Sequence, residues 1–386
     1  MPRVQRGRPG RRAAALLTVC VHLAAASALT GLTAPGAGAA EARTCFGVAA
    51  TTTGTAGTPG DDVIVGTPGP DVIDGGGGDD VICGGGGDDR IAGGPGDDRL
   101  FGEAGSDRLD GGAGHDVLVG DHGARTGDAA GPAGADRLSG GAGVDLLVGD
   151  AYAAQGGAAS GAAEDVLEGG ADDDTLVGDS RGDTAAGGAD DVLEGGEGHD
   201  SLVGDSWGLY AASGAGDDVL REGPGEYGDA TGDCAVLAGD ARGAGGDDFV
   251  DLGEDGGHGA WGDHHAPRGT AAGSGDDRVL GGAAAEYVLA GDSAYGDPAG
   301  ATGGEDLVEG RGGDDRLFGD NVDARADGAA GTGESARAGG AADRLDGGDG
   351  DDVLRGGPAD DRTDGAAGTD DCDGEAGADT EVACEI

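Results

Sequence analysis

Along most of the chain, an Ile or Leu within a short run between polar residues returns at a fixed step. Aligning Asp62, Asp71, Asp80, Asp89, Asp98, Asp107 and Asp116 gives an interval of nine residues, and the text around each reads Gly-x-x-Gly-x-Asp-x-Ile/Leu-x. Gly75-Gly76-Gly77-Gly78-Asp79-Asp80-Val81-Ile82-Cys83 and Gly84-Gly85-Gly86-Gly87-Asp88-Asp89-Arg90-Ile91-Ala92 are two consecutive copies. The x-Ile/Leu-x half predicts a very short strand whose middle side chain points inward while its neighbours point out. The glycines at the first, second and fourth places permit left-handed backbone angles and predict a tight turn. A turn plus a strand is half a coil, so two units complete one coil. Asp62, Asp80, Asp98 and Asp116 should then stack on one flank, and Asp71, Asp89 and Asp107 on the other. The expected fold is an all-β parallel solenoid.

The nine-residue step returns near the C-terminus at Asp343, Asp352, Asp361, Asp370 and Asp379. Between these blocks the units come in pairs: Asp136 with Asp145, Asp165 with Asp174, Asp191 with Asp200, and Asp306 with Asp315. Pairs end in a short Gly-Asp step, as at Gly120-Asp121, Gly149-Asp150, Gly178-Asp179, Gly204-Asp205 and Gly319-Asp320, with related steps at Gly239-Asp240, Gly262-Asp263 and Gly291-Asp292. Less regular inserts follow most of these steps. They read either as degenerate turns or as loops bulging from one flank. The gap between Asp200 and Asp218, equal to two units, favours a degenerate turn there. The organisation expected is a regular roll over 57–119, an irregular roll with insertions over 120–338, and closing repeats with a cap over 339–386. Residues 43–56 precede the first unit as an N-terminal cap.

Composition alone points elsewhere. The chain has 386 residues, 93 of them Gly, only 3% aromatics, and a net charge of −53. So little large apolar surface is the signature of a disordered chain, and order needs either a regular repeat or an external ligand such as a metal. The acidic balance argues against nucleic acid, whose phosphates attract Lys and Arg, and favours cations.

The first 42 residues have the layout of a secretory signal peptide. Arg3, Arg6, Arg8, Arg11 and Arg12 precede an apolar stretch from Ala13 to about Leu32, and small-residue cleavage options follow at 37–39 and 40–42. No other stretch is apolar and long enough to span a bilayer, so no stable membrane insertion is expected after cleavage. An exported chain can oxidise its cysteines. Cys45 with Cys83, and Cys372 with Cys384, is the favoured pairing, closing each end of the roll and leaving Cys234 over. Spacing does not fix this connectivity.

Stacked carboxylates one strand spacing apart repel one another, and a hard divalent cation reverses the sign of that interaction. Ca²⁺ accepts six to eight oxygens, from carboxylates and backbone carbonyls, in loose geometry, whereas Mg²⁺ demands a tighter octahedron. The turns hold little sulfur or imidazole, which argues against transition metals. The residues expected to bind Ca²⁺ are Asp62, Asp71, Asp80, Asp89, Asp98, Asp107, Asp116, Asp136, Asp145, Asp165, Asp174, Asp191, Asp200, Asp218, Asp306, Asp315, Asp343, Asp352, Asp361 and Asp370. Tyr227, His258 and Glu286 stand where Asp is expected, so those turns should be empty.

The repeat resembles the RTX, or haemolysin-type, calcium-binding nonapeptides, cleanly over 57–119 and more loosely through most of 57–379. The resemblance implies a right-handed parallel β-roll (a β-solenoid) that is disordered without calcium and folds on binding several Ca²⁺ ions. It also implies that the sixth-place Asp and the turn carbonyls are the ligands.

No catalytic domain is expected, since repeats occupy nearly the whole chain beyond residue 57 and no HExxH occurs. Two GxSxG strings, at Ser180 and Ser206, recur at one point of the super-repeat and read as structural rather than as a nucleophile elbow. His115 and His199 fall at the variable fifth place and should be solvated, and His264 and His265, in an insert, should lie at the surface. Tyr152, Trp207, Tyr210, Trp261 and Tyr295 lie in or near the inserts, where they either cover the open edge of the roll or form a stacking surface. The function expected is a secreted, extracellular Ca²⁺-binding repeat protein with a structural or cell-surface role. The alternative is an adhesin-like module whose inserts bind a cell-surface glycan or protein.

Overall fold

Val63–Val65 pairs in parallel with Val81–Gly86 at an offset of eighteen residues, Ile64 opposite Ile82. Arg90–Pro95 pairs likewise with Val72–Asp74. Two units therefore make one coil, as the spacing predicts. The computed structural model describes residues 43–386 except 53, 226–227, 257, 267, 269, 272, 287, 294–302, 323–339 and 386. The signal-peptide segment, Tyr227 and Tyr295 lie outside the described residues.

Among the described residues, repeating the coil builds two parallel sheets of thirteen strands each. The first runs from Val63–Val65 to Asp371–Glu375 and the second from Val72–Asp74 to Thr380–Val382. No helix is present among the described residues. The fold is an all-strand parallel β-roll.

The middle residue of each strand faces the other sheet. Ile64, Ile82, Leu100, Leu118, Leu147, Leu176 and Leu202 of the first sheet, with Ile73, Ile91, Leu109, Leu138, Leu167 and Leu193 of the second, form one continuous buried column. One aliphatic side chain per nine residues is a thin core. The strand ladders and whatever fills the turns must contribute the rest. The column fades at the C-terminus, where the inward place holds the buried Thr363 and Cys372 and the exposed Glu381.

Both ends are closed. At the N-terminus, Thr44–Cys45 and Val48–Ala49 form an antiparallel hairpin. Its Phe46 ring stacks on Phe101 at 4.6 Å, and Cys45 bonds to Cys83. At the C-terminus Cys372 bonds to Cys384. The two disulfides are the favoured pairing, and Cys234 is free and buried.

The inserts bulge from one flank, where the chain passes from the first sheet to the second, and they carry strands as well as loops. His122–Ala124 pairs with Ala151–Ala153, and that with Ser180–Ala186, which also pairs with Trp207–Ser213. Ala129–Ala130, Ala158–Ser160 and Asp240–Arg242 belong to the same sheet. This third parallel sheet has its own small core: Ala129, Ala151, Ala153 and Ala159, then Ala212, Cys234, Val236, Ala241, Ala266 and Ala271. The gap between Asp200 and Asp218 is thus not a degenerate turn. It holds Trp207–Ser213, a full strand of the third sheet. Length alone misled there, because a short insert and two plain units contain the same number of residues.

Candidate metal centre

The turns are built around the sixth-place aspartate. On the plain flank, where the second sheet leads back to the first, the amide of Asp62 donates to Asp80 Oδ1 in the next coil. The same bond recurs through Asp98, Asp116, Asp145, Asp174 and Asp200 at 2.7–2.9 Å. On the insert flank the chain of bonds runs from Asp71 through Asp89, Asp107, Asp136, Asp165, Asp191 and Asp218. It continues without a break through Asp248, Asp277, Asp306, Asp343 and Asp361 to Asp379, at lengths up to 3.1 Å.

Oδ1 is thereby used and Oδ2 is not. Among the described residues, twenty sixth-place aspartates have a buried Oδ2 that no donor reaches: Asp80, Asp89, Asp98, Asp107, Asp116, Asp136, Asp145, Asp165, Asp174, Asp191, Asp200, Asp218, Asp248, Asp277, Asp306, Asp315, Asp343, Asp352, Asp361 and Asp370. Orphaned buried carboxylate oxygens are costly and rare, so each demands a counter-charge or a proton. Most of them also lie near backbone oxygen. A Cβ on Gly75 would stand 2.5 Å from Asp80 Oδ2 and 2.6 Å from the Gly93 carbonyl oxygen. The first-place glycine is therefore required by this close approach. In the regular turns left-handed backbone falls at the second and fourth places, as at Gly76 (φ 101°) and Gly78 (φ 102°).

Electrostatics points the same way. Unit charges ~5 Å apart at an effective dielectric of ~20 repel by about 3 kcal/mol, and the columns repeat that repulsion coil after coil. Burial pushes the carboxyl of Asp89 up to about 6 and that of Asp98 up to about 7. Along the insert flank it pushes Asp136 up to about 9 and Asp165 up to about 10. A hard cation held by Oδ2 and turn carbonyls would remove this penalty. The donor set, carboxylate and carbonyl oxygen without sulfur, fits Ca²⁺.

The predicted residues divide. Asp62 and Asp71, in the first coil of the roll, have Oδ2 bonded to the amides of Thr58 and Thr67, both at 2.6 Å. The other eighteen carry the orphaned oxygen. Sequence reading passed over Asp248 and Asp277, although Gly246-Asp247-Asp248-Phe249-Val250 and Gly275-Asp276-Asp277-Arg278-Val279 hold the Asp-x-aliphatic signal, with Val in the inward place.

Glu286 does not leave its turn empty. Its amide donates to Asp315 Oδ1 at 2.8 Å and its Oε1 accepts from the Gly282 amide at 3.1 Å, so the longer acid stands in for Asp. Two coils earlier on the same flank, the buried Glu222 at a first place fills the space where a side chain at Gly228 would begin. The turn leading to His258 does lack an inward acid. Leu252 takes its first place and joins the core, while His258 lies exposed, 3.2 Å from Asp229 Oδ1.

The Gly-Asp steps occupy the first and second places of the insert-bearing turns. Their backbones form a ladder, with the amides of Asp150, Asp179, Asp205 and Asp233 donating to the carbonyls of Asp179, Asp205, Asp233 and Asp263. Gly232-Asp233 is the step at that level. Asp240, read as part of such a step, lies instead in the third sheet, because the insert is entered seven residues earlier.

His115 and His199 are exposed at the fifth place. His264, expected at the surface, is fully buried, its Nδ1 3.2 Å from Asp233 Oδ2. The insert that contains it folds back into the third sheet's core. Ser180 and Ser206 are also fully buried, at the start of insert strands. Trp261 is buried with Val288, Ala290, Phe318 and Val322, whereas Tyr210 is exposed and Trp207 lies under the Arg181 guanidinium at 4.7 Å.

A family model described as the RTX calcium-binding nonapeptide repeat matches residues 56–91, 84–118, 92–126, 130–151, 159–185, 182–206, 271–294, 301–323, 337–372 and 346–381. Together these cover more than half of the chain. The stretch left unmatched between 206 and 271 contains the turns where Gly228 and His258 interrupt the plain flank. No curated protein matches the chain.

Proposed function

We propose, for a chain that belongs to the RTX calcium-binding nonapeptide repeat family and is thus a Ca²⁺-binding repeat protein, that its sixth-place aspartates are the ligands and that binding drives folding. The observation that carries this reading is the rows of buried Oδ2 atoms without donors. An ion between successive coils would take Oδ2 and turn carbonyls. Because the assembled site exists only in the roll, each ion stabilises the folded form alone. The protein is an exported one with a structural or cell-surface role and no catalytic activity. The leader-like N-terminus, and disulfides suited to an oxidising compartment, support export. The burial of both GxSxG serines argues against either acting as a nucleophile.

Circular dichroism of the full secreted chain in millimolar Ca²⁺ and in excess chelator tests the coupling. The β signal should vanish in chelator and return with calcium. A signal unchanged by chelator sinks the reading. Asp80→Ala and Asp89→Ala should each weaken the adjacent sites and unwind the roll locally, seen as faster hydrogen exchange in the neighbouring coils.

A second reading, an adhesin-like module, draws on the insert sheet, where Tyr210 is exposed and Trp207 pairs with Arg181. Binding on a glycan array in calcium, lost in Tyr210→Ala, would favour it.

A further inference from the structure

The second-place aspartates of the Gly-Asp steps fall outside the nonapeptide pattern. Ordinary units put a left-handed residue there, mostly glycine as at Gly76 and Gly85, with Glu103, Arg311, Ala366 and Glu375 the exceptions. In the insert-bearing turns the chain leaves the roll at this place, so a side chain is allowed, and it is an aspartate at Asp121, Asp150, Asp179, Asp205, Asp233, Asp263, Asp292 and Asp320. The sixth-place Asp ladder runs beside them, so the insert flank carries a double file of carboxylates that the plain flank lacks.

The files converge most closely at Asp263, Asp277 and Asp292. One carboxylate oxygen from each lies within 4.8 Å of the others, and all three residues are buried, with at most 2% of their surface exposed. Backbone and side-chain donors hold the trio in place without neutralising it. Asp263 Oδ1 accepts from the Gly275 amide at 3.2 Å and Asp277 Oδ1 from the Asp248 amide at 2.7 Å. Asp292 Oδ1 accepts from the Gly304 amide at 3.1 Å, and its Oδ2 from Asn321 Nδ2 at 3.2 Å. Asp263 Oδ2 and Asp277 Oδ2 are buried and meet no donor among the described residues. Two orphaned oxygens in a pocket of three acids, closed off from solvent, are the environment a hard divalent ion stabilises.

We propose that Asp263, Asp277 and Asp292 form a Ca²⁺ site of a second kind, in which two second-place aspartates from successive coils close on one sixth-place aspartate. This site needs no left-handed glycine and exists only where an insert leaves the roll. The inserts thereby add ions to the flank they cover. The proposal rests on calcium binding by the family's own turns, and the experiment separates the two.

Calcium bound per full chain is counted by equilibrium dialysis for wild type, Asp263→Asn, Asp292→Asn and Asp80→Asn. Asp263→Asn and Asp292→Asn should each bind one ion fewer than wild type, and combining them should remove no further ion. Asp80→Asn should lose its ion from the regular turns and keep this one. A wild-type chain that binds no calcium ends the family reading and this one together. Full binding by Asp263→Asn and Asp292→Asn overturns only the second-kind site and assigns shared protons to the trio. If either variant fails to fold, anomalous diffraction from the calcium-loaded wild type decides. A peak among the three carboxylates supports the site, and filled regular turns without that peak overturn it.

Discussion

The two flanks of the roll are made from one nonapeptide, yet they differ in how deeply they hold charge. On the plain flank, burial pushes Asp116, Asp145 and Asp200 up to about 6, and Asp174 up to about 7. On the insert flank at the same levels, Asp136 rises to about 9 and Asp165 to about 10, again chiefly through burial, with repulsion from Asp121 or Asp150 added. The regular region supplies the control. There the future insert flank is bare, and Asp89 and Asp107 reach only about 6. The difference is therefore made by the inserts. The third sheet shuts water out of the turns it covers, and its Gly-Asp steps bring a second acid into each one.

The largest consequence concerns pH in the absence of metal. The native carboxyl values stand above those of an unfolded chain, about 3.9. The metal-free roll thus binds more protons than the unfolded chain, and its stability is fully present below that value and lost as pH rises through the native ones. In chelator, the β signal should grow on acidification from pH 8 towards pH 4. In calcium the dependence should reverse, because protons and ions compete for the same oxygens. Exchange measurements along the acid titration sharpen the flank comparison. Insert-flank turns at Asp136 and Asp165 should gain protection at higher pH than plain-flank turns at Asp116 and Asp145. Equal midpoints would mean that the inserts do not change the electrostatics of the flank.

Next in size is a pair of single charges. Asp165→Asn removes an acid from a double file and Asp145→Asn one from a single file. In calcium, the first should cost about 3 kcal/mol and the second roughly 1–2 kcal/mol, in the range for breaking buried charged contacts. In chelator near pH 7 the sign should invert for Asp165→Asn, since the variant no longer buries an ionisable group. Denaturant unfolding in calcium measures the two costs, and the pH at which the β signal appears in chelator, higher for Asp165→Asn than for wild type, measures the inversion. A uniform cost at the two positions would erase the distinction between flanks.

Much of this was legible in the sequence, and the exceptions share a physical origin. The nine-residue step fixed the strands, the coil and the inward column, because a strand of three residues has one inward place. The inserts were harder. Their cores are alanine, as at Ala129, Ala151 and Ala159, and alanine carries little hydrophobic signal in a chain this rich in small residues. Asp248 and Asp277 were hidden because the preceding units were disrupted. Glu286 was misread because a longer side chain can deliver its carboxylate to the same oxygen-lined turn. The role of the Gly-Asp steps was invisible, since their meaning depends on two coils meeting across an insert.

The smallest predicted effect isolates the turn from the flank. Gly75 and Gly60 both belong to the regular region, at the first and fourth places of their units. A methyl on Gly75 would press on Asp80 Oδ2 and the Gly93 carbonyl, whereas one on Gly60 meets nothing within 4 Å. Gly75→Ala should therefore cost roughly 1–3 kcal/mol in calcium through overpacking and displace the ion between those coils. Gly60→Ala, whose backbone is not left-handed, should be neutral or stabilise by about 0.4–1 kcal/mol by restricting the unfolded chain. Repeating Gly75→Ala in chelator at acid pH separates sterics from metal. If the cost persists there, the glycine is required by packing against the neutral carboxyl. If it falls away, the glycine is required by the ion that the carboxylate and carbonyl share.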